Sequence, residues 1–181
     1  DLKRIANTLL EQYNRNRTPG WEWFENILTY DNARLSQALL AAYETLGDSR
    51  FLDAALESLA FLRKVTTIGD KLAPVGNNGW YVRGGVRAEY DQQPVDAGVM
   101  AETATQLYRI VRSPANEKAL RQALGWFFGL NAKSVRIYDD ASGACHDGIT
   151  PVGMNENQGA ESTIAFLLAA VTFIENLTEP T

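Results

Sequence analysis

Three acidic residues, Asp31, Asp96 and Glu161, recur along the chain at one equal spacing, and Tyr43, Tyr108 and Phe173 follow them at one equal offset. A repeat tens of residues long restricts the fold more than local propensity does, because each unit must pack on neighbours built like itself. Between these markers the apolar residues fall at helical spacing. Leu2, Ile5, Ala6, Leu9, Leu10 and Tyr13 predict a helix over 2–14. Leu35, Ala38, Leu39, Ala42, Tyr43 and Leu46 predict a second over 33–46, ended by Gly47 as C-cap. Phe51, Leu52, Ala55, Leu56, Leu59 and Leu62 predict a third over 50–65, with Asp48 or Ser49 to cap it. The fourth covers 95–111 and the fifth 116–131. The sixth, 159–177, is apolar on nearly every side, the pattern of a buried helix.

Long decorated loops and short turns alternate between these helices. The chain therefore reads as all-α, one domain over 1–181 made of three helical hairpins, about 1–47, 48–113 and 114–181. In such a stacked or toroidal α/α array the short turns lie at one end and the three long loops share the other rim. The second, fourth and sixth helices then form the inner ring. A short strand at 80–83, paired near 72–75, is the one β feature expected.

Net charge is -5, and the lysines and arginines are scattered, which argues against a nucleic-acid partner. One cysteine, Cys145, excludes an internal disulfide and a cysteine metal cluster, and one histidine, His146, excludes a multi-histidine zinc site. No cofactor is implied. The longest apolar run, 164–174, is too short to span a bilayer, and no signal peptide opens the chain, so no membrane and a cytoplasmic location are expected. The first residue is Asp1, which reads as a piece of a longer chain.

The loops carry the chemistry. Asp31, Asp96 and Glu161 fall in the first turns of the three inner helices, where acids cap free amides and favour the helix dipole. Capping does not account for the crowd beside them: Glu22, Glu25, Glu89, Asp91, Asp139, Asp140, Asp147 and Glu156. Carboxylates next to aromatic rings suit carbohydrate, whose C–H faces stack on rings while its hydroxyls bond to acids and amides. Glycosidic cleavage needs one carboxylic acid to protonate the leaving oxygen and one carboxylate to activate water or attack. The candidate acids are Asp31, Asp91 and Asp96. Trp21, Trp23, Trp80, Tyr81 and Tyr90 are candidate platforms, against the alternative that loop aromatics plug the layer below, and Tyr30 is a further candidate for substrate binding. His146, beside Cys145, is a loop-packing or ligand-contact residue rather than the base of a nucleophile, since catalytic partners are adjacent in space rather than in sequence.

The segments Trp23-Phe24-Glu25, Leu28-Thr29-Tyr30-Asp31-Asn32-Ala33, Tyr90-Asp91-Gln92-Gln93-Pro94-Val95-Asp96-Ala97 and Asn157-Gln158-Gly159-Ala160-Glu161-Ser162-Thr163 resemble the six-hairpin glycosidase superfamily. More closely, they resemble the helical toroid domain associated with some bacterial glycosyltransferases. The resemblance implies an (α/α) toroid with a carbohydrate cleft, often hydrolysing with inversion through two acids. It matches Asp31, Asp91, Asp96 and Glu161 to acidic motif positions and sets Trp23, Glu25, Tyr90, Gln92 and Gln93 on the same rim; Gln158 belongs to the fourth matching segment. Three hairpins are half of a six-hairpin ring. The implied partners are an oligosaccharide or polysaccharide and, to cover the open apolar edges, a second copy or a linked glycosyltransferase domain. Two other roles fit the same residues: a non-catalytic glycan-binding or regulatory module, and a scaffold or dimerisation domain.

Overall fold

The computed structural model describes residues 1–178. Six helices dominate it: α1 (Leu2–Asn16), α2 (Ala33–Leu46), α3 (Ser49–Thr66), α4 (Pro94–Ile110), α5 (Pro114–Gly125) and α6 (Ala160–Thr178). Their starts are written in the sequence. Asp48 accepts the amide of Arg50 at the head of α3, and Ser113 accepts that of Asn116 at the head of α5. Proline occupies the first turn of both α4 and α5, where its missing N–H costs nothing. Gly47, left-handed at φ 69°, closes α2.

The helix periodicity is met closely except at α5. That helix stops at Gly125 and tightens into a 3-10 turn, Trp126–Phe128, instead of running to residue 131. The Leu130 amide returns to the Gly125 carbonyl, and the chain leaves the axis there. The strand pairing also differs from expectation. Tyr81–Val82 pairs with Ile27–Leu28 of the first loop, while Lys71–Leu72 pairs with Thr67–Ile68 in a hairpin of its own. A third ribbon joins Ile149–Thr150 to Gly153–Met154. The first of these two-residue ribbons ties one loop to the next, and the other two are hairpins within a loop.

The closest helix pairs are α2 with α3 and α4 with α5, across the short turns, and α4 with both α2 and α6. Helix α4 is the middle of the molecule, with both neighbours packed on a surface of small residues: Ala97, Gly98, Ala101 and Ala104 are all buried. At Gly98 the approach is closest; a Cβ built there lies 2.8 Å from the Ala165 carbonyl oxygen of α6. A single core continues outward through Trp23, Phe24, Leu39, Phe51, Leu59, Leu62, Trp126 and Phe127.

The heads of α2, α4 and α6 meet at one end. Asn32 Nδ2, at the start of α2, donates to Asp96 Oδ1 in the first turn of α4. Residues 93–95 of α4's head and 159–162 of α6's head wall a common cleft. The loops 17–32, 67–93 and 129–159 lie at this end. Among the described residues no helix is long and apolar enough to cross a membrane.

Since the Gly98 contact sets the spacing of α4 and α6, Gly98→Val is expected to lower unfolding free energy by about 1–3 kcal/mol through overpacking. Chemical denaturation of the two proteins measures this; equal midpoints would mean the helices are not in register as described.

Candidate functional site

The cleft at the shared rim is about 400 Å3, within the range of small-ligand sites. One wall comes from Asn77, Asp91 and Gln93, the other from Thr150, Asn155 and Glu161. The sequence puts these residues on two different loops, and backbone pairing brings them together. Gln92 and Ile149 exchange both amide hydrogen bonds at 2.9 Å. Gly148 makes that approach possible: it sits at φ 145°, and a Cβ there would stand 2.1 Å from the Gln92 carbonyl oxygen. On the first wall, Asn77 and Asn78 donate their amides to the carbonyls of Asp91 and Tyr90, and the Tyr90–Asp91 peptide bond is cis.

Asp147 anchors the second wall. Its carboxylate accepts from the Ser162 hydroxyl at 2.6 Å, from the Gly159 amide at 2.7 Å and from the Asn157 side chain. The Ser162 hydroxyl, with the two amides, holds this carboxyl below the usual carboxylate range, and so Asp147 caps the head of α6 as an anion. Asp139 does similar work further out. Ser142, the Ala141 amide and Gln158 hold it down at about 2.

The sequence-derived candidates divide into three groups. Asp91, Gln93 and Glu161 line the cleft together. Tyr30 of the first loop and Trp80 of the second stand in ring contact at 6.2 Å, Tyr30 62% exposed and Trp80 partly so, and form an aromatic surface. The third group takes other positions. Trp23 is fully buried against Phe24 and Phe61, because the loop folds its ring under itself into the core. Trp21 and Tyr81 pack edge to face on each other at 5.1 Å. Tyr90 lies under the Lys133 ammonium at 5.0 Å. Gln92 is buried, donating to the Glu89 carbonyl and accepting from Trp126 Nε1, so it braces the loop. Glu25 is exposed on the first loop, outside the cleft walls, and its carbonyl accepts from Trp21 Nε1. His146 pairs through Nε2 with Gln158, which also donates to Asp139; neither lines the cleft.

Asp31 and Asp96 are the clearest departure from expectation. Asp96 is 6% exposed, and the cavity it lines with Asn32 and Thr66 measures only about 10 Å3, far below any sugar. Burial pushes its carboxyl up to about 8; the charge of Asp31 adds to this, and the amides of Asn32 and Asp31 act against it. Asp31, at φ 52°, is also raised by burial, with Arg34 at 3.4 Å opposing and Glu102 adding. Glu102 in turn accepts from Arg34 Nη1 at 2.9 Å. Asp96 is thus a neutral hydrogen-bonding joint between helix heads rather than a group in contact with a ligand.

Asn77, Asp147, Thr150 and Asn155 were not singled out as site residues by sequence reasoning. The signal for them was weak, a density of amides and acids near glycines in two loops. The described residues hold no cluster of histidine, cysteine and carboxylate suited to a metal. Comparison with protein-family models gives no match, and comparison with curated proteins gives none either.

A neutral Asp96 in the folded state and an ionised one in the unfolded chain give a defined sign. Below about pH 4, where both forms hold the proton, the contribution is complete. Stability then falls as pH rises toward the folded value near 8, and levels off above it. Asp96→Asn is expected to flatten this slope and to exceed the parent in melting temperature at pH 8. Thermal melts of both proteins from pH 4 to 9 check it; parallel pH profiles would contradict the buried neutral acid.

Proposed function

We infer that the chain is a carbohydrate-active domain of the α/α toroid kind, three helical hairpins of a six-hairpin plan, which seats a glycan in the cleft between its second and third rim loops. The observation that carries this reading is the cleft's composition. Two carboxylates far apart in sequence, Asp91 of the second loop and Glu161 in the first turn of α6, face a space of ligand size with the amides Asn77, Gln93 and Asn155, and the first two rim loops carry the Tyr30–Trp80 ring pair. Acids and amides take sugar hydroxyls in pairs, and a ring surface takes the apolar sugar face. The motif resemblance supports the same reading on the same three segments.

In the hydrolytic form, Asp91 and Glu161 serve as general acid and base on one bound glycosidic link; of the sequence-derived acids Asp31, Asp91 and Asp96, only Asp91 lines the cleft. A specific observation favours a second form, a glycan-binding module linked to a glycosyltransferase. The acid raised furthest, Asp96, is the natural proton donor, and it is sealed outside the cleft. In that form the same walls hold the chain of sugars in place without cutting it.

The test is a glycan panel read by calorimetry and by release of reducing ends. Binding by the parent chain is expected, weakened about tenfold in Trp80→Ala, a loss equivalent to about 1.4 kcal/mol. If the domain hydrolyses, Asp91→Asn and Glu161→Gln each lower turnover by about 100-fold or more while binding persists. Binding without release in the parent selects the module. No binding to any glycan contradicts both.

A further inference from the structure

Helix α6 has the composition of a fully buried helix, yet only one side of it is covered. Ser162, Ala165 and Ala169 turn inward, Ala165 against Gly98 of α4. Opposite them Ile164, Leu167, Leu168 and Val171 form one stripe at i, i+3, i+4 and i+7, each between 41% and 56% exposed. Beside the stripe, Leu124, Phe128, Phe166, Ala170 and Phe173 enclose an apolar groove of about 430 Å3. The repeat does not demand this. At the corresponding positions α2 has Arg34, Ala38 and Ala41 where α6 has Ile164, Leu168 and Val171.

We propose that a second copy of this chain covers the face, α6 against α6 of its partner, about a two-fold axis near Leu167 and Leu168. Area and self-complementarity together choose this occupant. The four stripe residues and Phe128, about half exposed, show roughly 100 Å2 each, and the less exposed groove walls Leu124, Phe166, Ala170 and Phe173 add to this toward the ~800 Å2 that each side of a stable interface buries. A two-fold contact sets one patch against itself, and an uncharged apolar stripe matches its own copy. A head-to-tail contact instead meets the open side of α2, whose Arg34, Gln37, Ala38 and Ala41 offer a charge, an amide and only two methyl groups. Between Glu161 and Glu175 helix α6 carries no charge, so the stripe itself desolvates none; Arg121, paired with Glu117, lines the groove and Arg136 lies over Phe128. This assembly does not depend on the glycan reading, since the stripe shares no residue with the cleft walls.

Sedimentation equilibrium of the chain over about a hundredfold range of concentration tests it. A dimer that dissociates on dilution is expected. The double variant Leu167→Glu, Leu168→Glu should raise its dissociation constant at least about 100-fold, with an unchanged circular dichroism spectrum because both side chains face solvent in the monomer. Leu168→Cys should form a disulfide-linked dimer on oxidation, which the parent, with only the buried Cys145, does not. A monomer at every concentration, the result expected if another protein or segment is the occupant, overturns the proposal. So does a dimer indifferent to the two glutamates, or one that Leu168→Cys does not cross-link.

Discussion

The rim depends on how closely α4 admits its two neighbours. Ala97, Gly98, Ala101 and Ala104 give it a surface with almost no side chain, and at Gly98 α6 comes near backbone contact, while Thr103 of α4 donates to the Ala33 carbonyl of α2. Apolar burial drives the helices together without direction; the small residues decide where they stop. Once α6 rests on α4 at Gly98, the heads of the helices lie side by side, and the loops that enter them have one place to go. Larger residues on α4 would leave the same six helices with their heads apart and no common cleft.

Polar joints fix that arrangement at the loop end. Asn32 and Asp96 tie the heads of α2 and α4, and Asp147 caps α6 from the loop that precedes it. The two acids solve one problem, unsatisfied helix amides, under opposite electrostatics. Asp147 is partly solvated and held anionic by its donors, while Asp96 is buried and held neutral. The Gln92–Ile149 bridge, with Trp126 bracing the Gln92 side chain, then closes the second loop on the third. Each joint uses a residue type that also occurs in carbohydrate sites.

That double use explains what the sequence could and could not reveal. Helices were legible because 3.6-residue periodicity records which side of each is buried, and all but α5, which ends early at Gly125, keep close to the spans read from Leu, Ala and Phe. The burial of α6 was misjudged because an all-round apolar pattern does not say whether a neighbour exists to cover it. Residue chemistry alone also cannot say which way a loop side chain turns. Trp23 and Trp80 look alike on paper; one plugs the core and the other lies beside Tyr30. Likewise Gln92 and Gln93 are adjacent, yet extended backbone sends one inward to Trp126 and the other to the cleft. Pairing of Ile27–Leu28 with Tyr81–Val82 is long-range and two residues deep, too short for any strand pattern to announce.

The central claim is that loops far apart in sequence form one ligand-sized wall pair at the heads of α4 and α6. Titrating a backbone-amide-labelled chain with a neutral oligosaccharide, followed by nuclear magnetic resonance, tests it most directly. The amides of Asn77, Asp91, Thr150, Asn155 and Glu161 should shift together and saturate with one binding constant. No shift in any of them, or shifts confined to a single loop, would contradict the account.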